Sequence, residues 1–234
     1  PSKDVVPAAV TKQFHSGEGA IQFAPEAIAR SNADLLKTPE LRSEFIEIYC
    51  DQGREEAGRW LSDNHGPIGA AELEHRLSRY GLNPCGEILG ADFHCNLAEV
   101  HLNQIDPSDE EGQADAFRAG ALSVACLLNH RFEVERYRQS REWDPIVGVS
   151  FTGLFDFFVH AFGTEWLSWW EAGRPETEEG LRFKEQEAAY LSRWKEIVNQ
   201  TVWEYCDRQG LRRPNRCTTV QPAGTKSLLT GAAP

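Results

Sequence analysis

The run Ile146-Val147-Gly148-Val149-Ser150-Phe151 is apolar except for Gly148 and Ser150, and it follows a turn signal at Asp144-Pro145. Such a run fits a parallel strand covered on both faces, because a strand with one wet face would alternate polar and apolar residues. Other strand-like segments stand at 20–23, at 216–221, and at 95–105, where Leu97, Val100, Leu102 and Ile105 are apolar. Helical patterns separate these segments, so the chain reads as an α/β fold built on parallel strands.

The helical patterns are uneven in strength. Residues 1–13 read as a connector and 16–19 as a turn. Pro25 suits the first turn of a helix that 27–36 continues. Pro39 opens a longer helix reaching about residue 61, with Leu41, Phe45, Ile48 and Tyr49 on one stripe, before 64–69 breaks it. A short helix over 72–80 is ended by Gly81. Ser108 is expected to cap a helix that carries Glu110 and Glu111 in its first turn. The Ala- and Leu-rich stretch 114–128 of that helix must be largely buried. An aromatic helix lies over 154–162 between two glycines. A long amphipathic helix runs from the acidic stretch 176–179 to about residue 208, and Gly210 stops it.

At 234 residues the chain is expected to form a single domain over 1–234. A formal net charge of −12 disfavours binding to nucleic acid or anionic lipid, but leaves room for a local basic pocket for one phosphate group. No apolar run approaches the ~20 residues needed to cross a bilayer. The six cysteines, Cys50, Cys85, Cys95, Cys126, Cys206 and Cys217, are widely spread and form no C-x-x-C pair. Without a basic-then-apolar leader, they point to a reducing, cytoplasmic setting. Cys50 and Cys126 sit in apolar helical patterns and read as inert core thiols. The chain begins at Pro1 and contains no methionine, so a piece of a longer polypeptide is expected.

One stretch carries chemistry. In Asn83-Pro84-Cys85-Gly86-Glu87 the three functional side chains are two residues apart, so an extended backbone would point an amide, a thiol and a carboxylate the same way. Cys95 follows ten residues after Cys85. Cys85, Cys95, His94 and His101 also permit a zinc reading, although the spacing is wrong for one. A cysteine hydrolase is a further alternative that needs a histidine base, for which His94, His101 and His160 are the candidates. No metal site is assigned.

Asn83-Pro84-Cys85-Gly86-Glu87 followed by Cys95-Asn96-Leu97-Ala98-Glu99 resembles the catalytic core of ribonucleotide reductases. Two further stretches match in the same order. The segment from Ile146 to Phe151, with Thr152-Gly153, resembles the glycine-bearing barrel strand after the finger loop. Pro222-Ala223-Gly224-Thr225-Lys226-Ser227-Leu228-Leu229 resembles the loop that holds the substrate's phosphates. Gly17-Glu18-Gly19 is a weaker match. The wording is most similar to the adenosylcobalamin-dependent triphosphate reductases. A diphosphate reductase large subunit with a metal-containing second subunit is the alternative.

The resemblance implies a fold, a chemistry and partners. The fold would be part of a ten-stranded α/β barrel with the active cysteine on a central finger loop, this chain being its later part. Cys85 would become a thiyl radical, Glu87 would act as base on the ribose 3′-hydroxyl, and Asn83 would orient the sugar. Cys95 would be one of two reducing thiols, with its partner outside this chain. Ala223, Gly224, Thr225, Lys226 and Ser227 would hold the phosphates of a ribonucleoside triphosphate, aided by backbone N–H groups at a helix start. The implied cofactor is adenosylcobalamin. The implied partners are a thioredoxin-type dithiol and the remaining parts of the same enzyme. Asp92-Phe93-His94 begins like a cobalamin-ligating motif, but Leu97 stands where that motif needs glycine.

Overall fold

The structure, a computed structural model, describes residues 5–17, 22–83, 85–90 and 92–233. It divides into two compact units, Pro1–Tyr80 and Gly81–Pro234.

The first unit is helical. The connector expected over 1–13 is instead largely helix α1, Val6–Ser16: Pro7 suits its first turn, and Gly17 closes it in a left-handed conformation at φ 70°. The strand expected at 20–23 and the Gly17-Glu18-Gly19 match fall mostly outside the described residues. Helix α2 spans Ala24–Ser31. Helix α3, Pro39–Gln52, starts where Thr38 accepts a hydrogen bond from Leu41 N–H at 3.3 Å. The single helix expected from Pro39 to residue 61 is two, α3 and α4 (Arg54–His65). Gly53 separates them at φ 92°, ψ 176°, which ends the hydrogen-bond ladder. Helix α5 spans Ala70–Leu77. Ile28, Leu36, Phe45, Ala57, Leu61 and Leu77 form the core of this unit.

In the second unit, strand β1 is Leu97–His101, shorter than expected because Leu102–Gln104 tightens into a 3-10 turn. Helix α6, Glu110–Leu127, is capped by Asp109, which accepts from Gly112 N–H at 2.9 Å. The expected cap, Ser108, instead donates to Asp106 Oδ1 at 2.7 Å. Helix α7, Glu135–Trp143, was not anticipated from sequence and leads to strand β2, Gly148–Thr152. Helix α8, Leu154–Glu171, is two helical stretches that meet at a non-helical Gly163 (φ 78°, ψ −165°), so the aromatic stretch ends at 162 as expected and a second stretch follows it. Helix α9, Glu178–Gln209, is ended by Gly210, as its sequence pattern predicts, and is capped by Thr177. The short helix α10 is Gly224–Ser227. Cys50 and Cys126 are exposed rather than core, while Cys206 and Cys217 are buried.

β1 and β2 pair in parallel, with Leu97 opposite Gly148 and His101 opposite Thr152. The far edge of β2 takes a third parallel stretch: Val149 N–H donates to Cys217 C=O at 2.9 Å, and Thr219 N–H to Val149 C=O at 3.0 Å. The two sheet faces differ. Ala98, Val100, Val149 and Phe151 pack onto the apolar core under α6 and α9. Glu99, His101, Gly148, Ser150 and Thr152, at the alternate positions, make up the other face. The chain is thus α/β, mostly helical, with a small parallel sheet. No helix among the described residues is long and apolar enough to cross a membrane.

Trp194 of α9 sits at the centre of the core at 2% exposure. It stacks on Phe117 at 5.1 Å between ring centroids, meets Phe157 edge-on at 5.2 Å, and donates Nε1–H to Gln113 Oε1 at 3.2 Å. Trp194→Ala should therefore lower unfolding free energy by about 3–5 kcal/mol, and Trp194→Phe by clearly less. Denaturant titration checks this, and equal losses for the two variants would contradict it.

Candidate active site

The stretch 82–89 is pinched into a loop by an antiparallel bridge between Leu82 and Leu89, reinforced by Gly90 N–H donating to Gly81 C=O at 2.7 Å. Inside it, Gly86 adopts a left-handed φ of 77° and its N–H donates to Asn83 C=O at 3.1 Å. The backbone expected to be extended over 83–87 is therefore a turn. The turn still joins two of the three side chains: Asn83 Nδ2 donates to Glu87 Oε1 at 2.7 Å. Asn83 Oδ1 accepts from Gly86 N–H at 3.0 Å and Ile88 N–H at 3.3 Å, so the amide is held at both ends.

Glu87 is the hub. It is 2% exposed, and its Oε1 also accepts the Cys95 thiol at 3.3 Å. Its second oxygen, Oε2, is buried with no hydrogen-bond partner among the described residues. The loop is bound to the third strand-like stretch, where Arg216 Nε donates to Glu87 C=O at 2.9 Å and the Thr219 hydroxyl donates to Cys85 C=O. Arg216 is itself held by Asp144 Oδ2 at 2.6 Å. Gly148 makes room for this seating. A Cβ there would lie 2.6 Å from Leu97 Cδ2, 2.9 Å from Thr219 Cγ2 and 3.4 Å from Glu87 Cγ.

Both thiols are kept protonated. Burial pushes the Cys85 thiol up, the Glu87 charge adds to this, and Lys226 opposes it. Cys95, although exposed as a residue, has its thiol pushed up to about 11, first by the partial burial of its surroundings, then by its hydrogen bond to Glu87, the Glu87 charge and the neighbouring Cys85. Such surroundings disfavour a thiolate nucleophile and preserve S–H bonds. Of the histidines named for the hydrolase reading, His94 stacks on His130 at 5.8 Å, and His101 Nδ1 shares a hydrogen bond with Thr230 Oγ1 at 2.8 Å. Among the described residues no three His, Cys, Asp or Glu side chains group to hold a metal ion.

The 223–227 stretch leads into a segment at the carboxyl ends of the parallel strands, where α/β sheets commonly place ligands. Its follow-on segment is tied there: Asn103 Nδ2 donates to Thr230 C=O at 2.9 Å, Gly153 N–H to Ala233 C=O at 3.2 Å, and Ala233 N–H to Asp156 Oδ2 at 2.7 Å. Thr225 and Gly224 are exposed, and Ala223 and Ser227 are buried. Ser227 Oγ donates to Gly224 C=O at 2.6 Å and so serves the turn itself. Lys226 Nζ lies 3.1 Å from Glu99 Oε2. Glu99, Arg216 and Thr219 were not singled out from sequence. For Glu99 a signal existed, a charged residue inside an otherwise apolar strand.

Comparison with known proteins finds relatives that share one name. A protein from Levilactobacillus brevis, named adenosylcobalamin-dependent ribonucleoside-triphosphate reductase, is 30% identical over 65% of this chain and 21% of its own length. Proteins of that name from Lacticaseibacillus paracasei (29% identical) and Lactobacillus leichmannii (22% identical) each match over 87% of this chain, and over 32% and 33% of their own lengths. The chain is a distant, partial homologue of these reductases. It spans between about a fifth and a third of the length of the curated reductases it matches. No family model matches the chain, and no solved structure matches it. Asn83, Glu87 and Cys95 form one hydrogen-bonded set, with Cys85 and Lys226 close enough to act on each other electrostatically.

Because the Glu87 charge holds the Cys95 thiol up, Glu87→Gln should bring it down. At pH 8.5, alkylation of Cys95 by iodoacetamide should then speed up by about tenfold, the value of one pKa unit. Rates followed by peptide mass mapping check this; an unchanged or slower rate would show that Glu87 does not control the thiol.

Proposed function

We propose that this chain supplies the finger loop and later barrel strands of a ribonucleoside-triphosphate reductase, which makes 2′-deoxyribonucleotides for DNA by thiyl-radical chemistry. Its parallel sheet is read as part of a ten-stranded barrel. The observation that carries the proposal is the arrangement around Glu87: one oxygen engaged by Asn83 and Cys95, the other buried and open to a ligand hydroxyl.

The implied cofactor can be weighed only at the atom it would act on. A half-buried Cys85 thiol held in its S–H form suits a hydrogen-atom acceptor, whereas no corrin-holding residue is assigned in this chain. When bound, adenosylcobalamin would supply the oxidising equivalent that removes the thiol hydrogen.

The chain's own residues account for the following steps. The Cys85 sulfur radical takes the 3′ hydrogen atom of the ribose, forming S–H and leaving a carbon radical. Glu87 Oε2 accepts the 3′-hydroxyl proton, which makes loss of the 2′-hydroxyl easier. The 2′-oxygen leaves as water with a proton from the thiol pair. Cys95 and its partner thiol, placed outside this chain, also deliver a hydrogen to C2′, provide two electrons in all and end as a disulfide, while Glu87 returns its proton to the 3′-oxygen. Cys85 then returns its hydrogen to C3′, which regenerates the sulfur radical. A thioredoxin-type dithiol would re-reduce the disulfide. Asn83, fixed through both ends of its amide, orients the sugar hydroxyls. Backbone N–H groups of 223–227, the exposed Thr225 hydroxyl and Lys226 would meet the triphosphate.

In the complete enzyme, Cys85→Ser should abolish deoxyribonucleotide formation while nucleotide affinity stays within about twofold, since serine is nearly isosteric but its O–H bond is too strong for this transfer. Product assays and equilibrium binding check it, and substantial residual turnover would sink the radical assignment. The 234-residue chain alone, given adenosylcobalamin, a dithiol and ribonucleoside triphosphates, should show no turnover. Robust product would overturn the placement of the second thiol elsewhere.

A further inference from the structure

Glu99 lies mid-way along β1 with its side chain only 5% exposed, on the sheet face that also carries Gly148, beside which Glu87 is seated. Neither of its carboxylate oxygens accepts a hydrogen bond among the described residues. Its ion-pair partner is Lys226, 3.1 Å away in the stretch read as the phosphate loop. A buried carboxylate without hydrogen bonds is costly, and an opposite charge close by offsets much of that cost. The two members differ in freedom. Glu99 is fixed in a strand paired with β2, whereas the Lys226 side chain is 43% exposed and carries its charge on a flexible four-carbon stem.

We propose that Glu99 tempers the affinity of the phosphate loop by competing with the ligand's phosphates for Lys226. The inference rests on the phosphate-loop reading above. In the empty site the ammonium is held by the strand carboxylate, and a bound polyphosphate must draw it away or share it. The need for such an opposing charge follows from the reaction. Substrate and product differ only at the ribose 2′ position and carry identical phosphates, so a loop that gripped phosphate as tightly as possible would retain product as well as substrate. Glu99 is thus a positioning residue that acts through Lys226.

The test uses the complete enzyme, with inorganic tripolyphosphate and a ribonucleoside triphosphate as probes in calorimetric titrations at low salt. Glu99→Gln should tighten both by about five- to tenfold, the range expected when a competing charge at a partly exposed pair is removed. Glu99→Asp, which keeps the charge, should stay near the wild type. Lys226→Gln should weaken both probes, and adding Glu99→Gln to it should change affinity by less than about twofold. Unchanged or weaker binding in Glu99→Gln, with Lys226→Gln still weak, overturns the role of Glu99 and leaves the loop reading standing. An equal gain in both backgrounds also overturns it, because Glu99 would then act by direct repulsion. If Lys226→Gln binds like the wild type, the phosphate-loop reading itself falls.

Discussion

Hydrogen bonding along both edges of β2 is the constraint on which the second unit depends. With β1 on one side and the stretch around Thr218 on the other, the strand must be interior, and its two faces must each be covered. Val149 and Phe151 meet this need on one face by packing with Val100, Phe117 and Trp194. The residues on the other face, Gly148, Ser150 and Thr152, are small. Their size lets the backbone segments around Glu87 and Gln221 approach: Ser150 Oγ accepts from Gln221 N–H at 3.0 Å, and Gly148 leaves the gap beside Glu87 Cγ. The sheet therefore separates an aromatic core from a polar face, and the candidate chemistry lies on the polar side.

That polar face is organised by a carboxylate among thiols, an arrangement that separates two kinds of cysteine chemistry. A nucleophilic cysteine needs a neighbouring positive charge or a histidine to lower its pKa. Here burial and the Glu87 charge act the other way on both Cys85 and Cys95, and only Lys226 opposes them at Cys85. A hydrogen atom can be taken only from S–H, so conditions poor for a thiolate suit hydrogen-atom transfer. The same carboxylate keeps one oxygen open and buried. One group thus maintains the thiols and, under the proposed function, would offer an acceptor to a ligand hydroxyl.

The parallel strand at 146–151, the Gly210 stop of α9, and the meeting of Asn83 with Glu87 were legible in the sequence, because each depends on local pattern or on a contiguous motif. The missed features have identifiable physical causes. Gly53 inside an otherwise helical pattern was too weak a signal to divide one helix into two, since glycine is tolerated within helices at modest cost. Val6–Ser16 forms helix with no buried residue to give it a periodic apolar stripe, so pattern reading had little to find. Extended geometry was expected at 83–87 from side-chain spacing alone, but the left-handed Gly86 made a turn instead. Arg216 and Thr219 reach the loop from about 130 residues further along the chain, and no local rule pairs residues over that distance.

The two cations of this face illustrate how side-chain chemistry divides work. Arg216 is 11% exposed and bridges the buried Asp144 carboxylate and the Glu87 carbonyl through separate nitrogens. Its planar, multiply donating guanidinium can satisfy fixed acceptors from several directions at once, which suits a structural cross-link. Lys226 meets a single carboxylate and remains 43% exposed. A strongly hydrated ammonium on a flexible stem holds such a partner loosely and can turn towards an arriving anion. Exchanging the two would place a rigid fork where the ligand needs a movable charge, and a movable charge where Glu87 needs a fixed support. Under the proposed function, the positions of arginine and lysine on this face would mark which part of the site is scaffold and which part responds to ligand.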